Sequence, residues 1–271
     1  MATIHEVLTV QHVEDDVFRG SSPDTGMQRT FGGQVAGQAL VAAVHTVDEA
    51  MRVHSLHGYF LRQGQPKVPT TYLVDRVRDG RSFATRRVTG MQNDKAIFSM
   101  SASFHVHDDG PEHQDVMPEV PTPDSLADGA HATDGVSAWF QQEWPDWDIR
   151  IVPAASLAPR PGVAAQQRVW IRYRRPLPDD PVFHVCALAY MSDMTLLGSA
   201  RVPHPGAKTQ GASLDHALWF LRPFRADDWL LYDQTSPSAG FGRALTQGRI
   251  FDRSGCMVAA VVQEGLMRTA R

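Results

Sequence analysis

The order of predicted structural elements occurs twice along the chain, and this repetition restricts the fold more than any other feature. In each half a strand-like start precedes one long apolar stretch, which is followed by strand-like segments separated by turn residues. A shift of 160 residues aligns Phe60-Leu61-Arg62 with Phe220-Leu221-Arg222. The same shift aligns Tyr72 with Tyr232. The sequence therefore predicts two copies of one structural unit.

The first half contains a glycine-led apolar stretch, FGGQVAGQALVAAVHTV, in which Gly32-Gly33 ends a strand and starts a buried helix. One strand is predicted before it, over residues 7–18. Asp79-Gly80 predicts a hairpin with a type I′ turn, because both central residues of that turn need positive φ. Asn93-Asp94 predicts the next turn. The strands predicted after the helix are residues 54–62, 70–78, 82–91 and 97–106.

The second half repeats this order after a strand that begins at Arg168. Asp180-Pro181 supplies an N-cap and a first-turn proline, and so predicts a helix through the apolar run that follows. The strands predicted after this helix are residues 213–222, 229–235, 242–251 and 257–264. A helix that is apolar on every side must be covered, so each half is predicted to wrap an antiparallel sheet around one long central helix, in an α+β fold.

A proline-rich stretch separates the two halves. Eight of the 18 prolines lie between Pro111 and Pro161, among Asp, Gly, Thr and Ala residues with little periodicity. Three tryptophans, Trp139, Trp144 and Trp147, indicate that part of this stretch packs against a domain. The predicted division is an N-terminal repeat at residues 1–107, a connector at 108–165 and a C-terminal repeat at 166–271.

Composition and charge exclude several classes of protein. With 42% apolar and 21% charged residues the chain can bury a full core, which excludes general disorder. A net charge of -4 and a pI of 6.3 provide no large basic surface for nucleic acid. No secretory signal and no run of apolar residues long enough to span a membrane is present, so we expect a cytoplasmic protein. Cys186 and Cys256 are predicted to be buried thiols, without a disulfide.

Recognisable segments occur along nearly the whole chain. They are FGGQVAGQALVAA, VHSLHGYFLR, RDGRSFATRRV, IFSMSASF, SLDHALWFLRPFRADDWLLY and VQEGLMR. Together, and in this order, they resemble the acyl-CoA thioesterase II family. This resemblance implies a double hotdog fold and hydrolysis of an acyl-CoA substrate to fatty acid and CoA. It also implies no metal, no cofactor, no covalent intermediate and pairing of copies into a homo-oligomer.

The resemblance assigns three catalytic residues that share one nucleophilic water. They are Asp193 in AYMSDMTLL, Ser213 in SLDH and Gln263 in VQEG. All three belong to the predicted C-terminal repeat. At the positions aligned by the shift of 160 residues, Ser103 corresponds to Gln263 and Val53 to Ser213, so we expect one active site per chain.

The chemistry of these side chains fits the assigned roles. Thioester hydrolysis needs an activated water, an acceptor for its proton and donors for the oxyanion that develops. Asp193 alone of the three can act as a base, and its place after an apolar helical run predicts partial desolvation. Ser213 can donate and accept at once, and the amide of Gln263 in an apolar strand needs partners. From the residues alone, a helix-end Asp, a strand-edge Ser and a solvent-facing Gln remain alternative interpretations.

Histidines offer rival bases. His54 and His57 lie three apart on one predicted strand and are therefore predicted to face opposite sides of the sheet, so at most one reaches a given pocket. His105, His107 and His113 lack the spacing of a metal site and are predicted to be exposed.

Arginines are the expected partners of the CoA phosphates, because guanidinium groups bind phosphate oxygens in pairs. The candidates are Arg62, Arg81, Arg86 and Arg87. The sequence does not distinguish among them.

Two other functions remain open at this point. A hotdog-type acyl-thioester hydratase or dehydratase relies on an Asp and a His five apart near the central helix. Asp108 and His113 lie in the connector, while Asp179 and His184 straddle Pro181, so neither pair suits that geometry. The other alternative is a non-catalytic acyl-CoA-binding protein, in which the duplicated sheets serve only as a scaffold.

Overall fold

The computed structural model describes residues 2–23, 26–126, 135–158 and 160–270. Within them the chain forms two compact units. The first unit contains residues 1–112, 182–194 and 213–220, and the second contains residues 113–181, 195–212 and 221–271. Residues 127–134 of the predicted connector lie outside the described ranges. The repeat boundaries stay a prediction, because a unit is defined by its contacts and a repeat by its ancestry.

The described residues form four α-helices and thirteen β-strands. The helices are α1 Ile4–Leu8, α2 Gly32–Val44, α3 Gly135–Glu143 and α4 Pro181–Met191. The strands are β1 Val10–Glu14, β2 Val17–Gly20, β3 Met51–Phe60, β4 Thr70–Asp79, β5 Phe83–Gln92, β6 Lys95–Val106, β7 Trp147–Ile151, β8 Gln166–Tyr173, β9 Thr209–Ser213, β10 Asp215–Phe220, β11 Leu230–Gly240, β12 Arg243–Asp252 and β13 Met257–Thr269. Short 3-10 helices cover Pro123–Ser125, Ala154–Ser156 and Leu196–Arg201.

The first unit is an antiparallel sheet packed against α2. Its strands follow the order β1-β2-β4-β5-β6-β3-β10. Side chains alternate along β6, so that Phe98, Met100 and Phe104 are buried beneath the helix. Leu40 of α2 is buried as well. The predicted antiparallel sheet and buried helix of the first half are therefore confirmed.

Two glycines bring α2 close to α4 inside the first unit. Gly33 and Gly37 lie four residues apart, on one face of α2. A methyl group on Gly33 would overlap the backbone carbonyl oxygen of Tyr190. A methyl group on Gly37 would lie 3.3 Å from the carbonyl oxygen of Cys186. Glycine at both positions therefore permits the two helices to pack backbone against backbone.

The N-terminal segment differs from the single strand predicted over residues 7–18. Thr3 caps α1 and exchanges hydrogen bonds with Glu6, which is a capping box. The chain then forms the β1–β2 hairpin, in which Asp16 adopts a positive φ of 59°. The prediction was wrong because the Thr3-x-x-Glu6 signal was overlooked and the apolar residues after it were read as one strand.

The two hairpin turns lie where they were predicted, but one of them has a different turn type. Neither Asp79 nor Gly80 has a positive φ, and the Gly80 amide instead donates to the Phe83 carbonyl at 2.9 Å across a longer connection. The type I′ turn predicted there is wrong. Asn93 and Asp94 carry the two positive φ values, 47° and 58°, that a two-residue turn requires.

The second unit holds a sheet of order β13-β12-β11-β8-β7, with β9 beside β13. The connector supplies β7, which pairs with β8. Trp144 and Trp147 are buried, whereas Trp139 is 45% exposed. The prediction that part of the connector packs against a domain is thus confirmed for two of its three tryptophans.

A buried carboxylate ties the connector to the sheet of the second unit. Asp233 on β11 is only 1% exposed and pairs with Arg168 on β8 at 3.0 Å. Arg249 on β12 and Arg160 from the connector reach its other oxygen at 2.6 and 2.8 Å. Such a charge is tolerated in the interior only because several donors compensate its lost hydration.

The helical stretch Pro181–Arg201 is long and apolar enough to cross a membrane by length and composition alone, but most of it is buried inside the protein, as in the core helix of a soluble protein.

Candidate active site

The turn after α4 carries the predicted base. The helix begins at Pro181, as predicted, and ends at Met191. Ser192 follows it and donates its hydroxyl to the Ala189 carbonyl at 3.0 Å. Asp193, the next residue, is partly buried, in agreement with the predicted partial desolvation.

Ser213 reaches this turn from the strand side. Its hydroxyl donates to Asp193 Oδ1 at 2.9 Å. A bend at Leu214 separates β9 from β10, and the Leu214 carbonyl accepts the Phe60 amide at 2.8 Å. Two of the three predicted catalytic side chains therefore meet within the first unit, although 20 residues separate them in sequence.

The other oxygen of Asp193 lies at the N-terminus of α2. A methyl group on Gly32, the first residue of α2, would come within 2.6 Å of Asp193 Oδ2. The N-cap residue, Phe31, provides no side-chain cap for this end of the helix. The partial positive charge of a helix N-terminus favours an anion there. The carboxylate is therefore placed beside backbone N–H groups that have no partner further back in the helix.

Aromatic rings lie around the N-terminus of α2. The Phe60 ring would lie 2.9 Å from a methyl group on Gly32, and it packs on Phe98 with ring centroids 5.0 Å apart. Phe31 meets Tyr190 edge to face at 5.1 Å. Apolar ring carbons therefore border the first turn of α2.

Gln263 belongs to the second unit, on β13. Its side chain is fully buried. Gln263 lies opposite Thr246 of β12, whose hydroxyl donates to the backbone carbonyl of Gln263 at 2.9 Å. The alternative interpretation as a solvent-facing glutamine is therefore wrong.

A β-bulge changes the interpretation of the two histidines on β3. The bulge inserts His54 as an extra residue between Val53 and Ser55, so the alternation of side chains shifts by one position. The His54 ring lies 2.8 Å from the Ser103 hydroxyl, and exposed His57 packs edge to face on Trp219 at 5.0 Å. The prediction that they face opposite sides is wrong, since both lie on the face away from α2.

Burial lowers the pKa of His54, with a smaller contribution from the neighbouring imidazole of His105. In the ranges that the structure describes, no three His, Cys, Asp or Glu side chains converge in the manner of a metal site.

Among the arginines proposed to bind CoA phosphates, Arg86 is excluded. Its guanidinium is 1% exposed and donates to the Thr46 hydroxyl and carbonyl, both at 2.8 Å, and to Asp79. The Arg86 guanidinium is therefore paired with groups inside the first unit and is not accessible to a phosphate. Arg87 stays 60% exposed beside Asp75, and Arg62 donates to the Ala96 carbonyl at 2.6 Å. Arg81 is exposed.

Gly32, Ser192 and His216 belong to this site but were not predicted as site residues. His216 on β10 is fully buried, and its Nε2 lies 2.7 Å from the Ser192 hydroxyl. A histidine directly before the apolar run Ala217–Phe220 of one strand was the available signal.

Known proteins resemble this chain along almost its whole length. The acyl-CoA thioesterase N-terminal domain family matches residues 21–105, and the acyl-CoA thioesterase family matches residues 140–266. The mouse protein acyl-coenzyme A thioesterase 8 is 40% identical over 98% of this chain and 88% of its own. The crystal structure of an acyl-CoA thioesterase II, TesB2, from Mycobacterium marinum superposes with a TM-score of 0.90, at 57% identity and 99% coverage of both chains.

The chain belongs to the acyl-CoA thioesterase II family. The fold of this family member is of the hotdog type, which its antiparallel sheets with few helices also indicate. A protein of unknown function with a hot dog fold from Alicyclobacillus acidocaldarius superposes with a TM-score of 0.81, at 20% identity and 100% coverage of both chains. At that identity the likeness concerns the fold alone.

Proposed function

We propose that the protein hydrolyses acyl-CoA to a fatty acid and CoA, with Asp193 as the base for the attacking water. The observation that carries this proposal is the hydrogen bond of 2.9 Å from Ser213 to Asp193, whose other oxygen lies against the first residue of α2. A base, a hydroxyl and the donors of a helix N-terminus then meet at one point. The acyl-CoA substrate is inferred from membership of the family.

The proposed reaction needs no group beyond water. Asp193 takes a proton from the water while the water oxygen bonds to the thioester carbonyl carbon. The electron pair of the carbonyl moves to oxygen, where the N-terminal amides of α2 stabilise the negative charge. Collapse of this intermediate breaks the carbon–sulfur bond, and the leaving CoA thiolate takes up the proton. The Ser213 hydroxyl donates its proton to Asp193. The lone pairs of the Ser213 oxygen can therefore accept a hydrogen bond from the water.

Gln263 is proposed to hold the same water or the thioester carbonyl through its amide. The resemblance to the family assigns this role, and its complete burial on β13 supports it. A buried amide is costly to keep in an apolar strand unless its polar atoms are used.

Release of free thiol from acyl-CoA, followed with a thiol-reactive dye, tests the proposal. We expect Asp193→Asn to lower turnover by about 10² to 10⁴-fold, because the amide cannot accept the proton of the water. Asp108→Asn is the matched control, since Asp108 is exposed, and it should retain turnover. Full activity in Asp193→Asn, with an unchanged fold, would contradict the mechanism.

The same preparation separates the two alternative functions. A hydratase would add water to an enoyl-CoA without releasing thiol. A non-catalytic acyl-CoA-binding protein would bind its ligand with neither reaction, and Asp193→Asn would leave every measured property unchanged. Either result would overturn the proposal.

We further propose that the two halves are repeats of one unit. Arg62 donates to the Ala96 carbonyl, and Arg222, aligned with it, donates to the Met257 carbonyl in the same way. Tyr72 and its aligned residue Tyr232 are both fully buried. A cytoplasmic location and pairing into a homo-oligomer stay predictions, of which light scattering tests the second.

A further inference from the structure

A second hydrogen bond holds the turn that carries Asp193. Ser192, directly before Asp193, lies 2.7 Å from Nε2 of His216. Ser213, three residues before His216, bonds to Asp193 itself. The bend at Leu214 interrupts the alternation of side chains, so both Ser213 and His216 reach the same turn. Two adjacent residues of the turn are thus tied to two points on one strand segment.

The hydroxyl of Ser192 determines the tautomer of His216. A serine hydroxyl has one proton, and Ser192 donates it to the Ala189 carbonyl at 3.0 Å. Its oxygen must therefore accept from His216, which requires the proton on Nε2. The bond has a direction as a result: His216 donates, and Ser192 accepts.

His216 is an unusual residue for its position on β10. His216 and Ser192 are both fully buried, and the neighbouring inward positions on β10 and β3 are apolar, Leu218 and Leu56. An apolar residue would fill such a position without the cost of burying an imidazole. The hydrogen bond to Ser192 offsets part of that cost.

We propose that His216 is a positioning residue, which fixes the turn at Ser192 so that the Asp193 carboxylate stays aligned with Ser213 and the N-terminus of α2. The inference rests on the proposed function. His216 touches neither the water nor the thioester in this scheme, and it acts through Ser192. A displacement of a catalytic group by about 1 Å costs up to about 100-fold in rate, so a lost anchor is measurable.

Three variants test the bond. His216→Leu removes the donor while filling most of the space, and Ser192→Ala removes the acceptor with a smaller change. We expect each to lower kcat by about 10 to 100-fold with KM within about two-fold, because alignment rather than substrate binding is lost. His216→Gln, whose amide nitrogen can replace the Nε2 donor, should restore most of the lost kcat.

The double variant and a control distinguish positioning from loss of structure. His216→Leu combined with Ser192→Ala should lose no more kcat than either change alone, since both remove one bond. His184→Leu alters another buried histidine, on α4, and should leave kcat unchanged. Additive losses in the double variant, or equal losses in His216→Gln and His216→Leu, would overturn the proposal.

Two measurements do not depend on hydrolysis. Nitrogen NMR of the wild-type imidazole should show His216 protonated at Nε2, and a proton at Nδ1 would refute the assigned bond. Backbone amides of residues 192–194 should exchange faster with solvent in His216→Leu than in the wild type. If the wild type releases no thiol, the proposed function fails, while these measurements still decide whether His216 holds the turn.

Discussion

Gly32 lies beside the proposed base, and the structure shows why glycine occupies this position. A methyl group at this position would lie 2.6 Å from Asp193 Oδ2 and 2.9 Å from the Phe60 ring. Neither Gly32 nor Asp193 has a positive φ, so backbone freedom is not the reason for glycine. The carboxylate occupies the space that a side chain would need.

Gly32→Ala should therefore impair turnover more than stability. Alanine is favourable in a helix, but its methyl group would push Asp193 away from its hydrogen bond with Ser213. We expect kcat to fall by about 10 to 100-fold, with a change of less than about 1 kcal/mol in the free energy of unfolding. Gly110→Ala, where nothing lies within 4 Å, is the control. Steady-state kinetics with urea unfolding of both variants makes the comparison, and unchanged kcat in Gly32→Ala would contradict it.

At the scale of elements, the contact between α2 and α4 depends on backbone atoms. Helices with ordinary side chains pack with their axes about 8 to 10 Å apart, because the side chains at the contact set the spacing. Gly33 and Gly37 remove those side chains from one face of α2. The N-terminus of α2 is then held beside the turn that follows α4.

Substitutions at these two glycines should differ in cost. Gly33→Ala would meet a backbone carbonyl, which cannot move without shifting α4, so we expect a loss of about 1 to 3 kcal/mol in the free energy of unfolding. Gly37→Ala meets the Leu8 side chain at 3.0 Å, which can turn aside, so its cost should be smaller. Urea unfolding measures both. A larger loss in Gly37→Ala than in Gly33→Ala would contradict this order of costs.

At the scale of the molecule, the described connector residues from position 113 onward belong to the second unit and do not form a free linker. It supplies β7, and its residues cover an apolar cluster on the sheet. The cluster consists of Val152, Trp170, Trp229, Leu231 and Phe251, with Met117, Val120, Leu126 and Leu157 from the connector packed against it. Apolar burial holds this covering layer, and the ion pair of Arg160 with Asp233 attaches it to the sheet at a further point.

Asp233→Ala should loosen the connector. The change leaves Arg168 buried with its main ionic partner removed, and breaking a buried pair in this way costs about 3 to 5 kcal/mol. Arg160 would lose its tie to the sheet at the same time. We expect faster proteolytic cleavage within the connector and a lower urea midpoint. Asp179→Ala, at an exposed ion pair with Arg225, should change either quantity little. Equal effects from the two variants would count against the network.

The sequence by itself determined the elements that depend on neighbouring residues. Apolar periodicity and turn residues predicted α2, the start of α4 at Pro181 and most of the strands that follow each helix, because these signals act over a few positions. The strand predicted over residues 213–222 is wrong, because the bend at Leu214 separates β9 from β10. The Asn93-Asp94 turn was predictable for the same reason. The shared segments identified the family, and through it the predicted catalytic residues.

Only the tertiary structure decided which residues meet across the chain. It placed residues 182–194 and 213–220 in the first unit, where Asp193 lies beside Gly32. It also buried Arg86 and moved His54 onto the outer face through a bulge. These outcomes depend on pairing between strands and on helix packing between residues far apart in sequence, which no local pattern encodes.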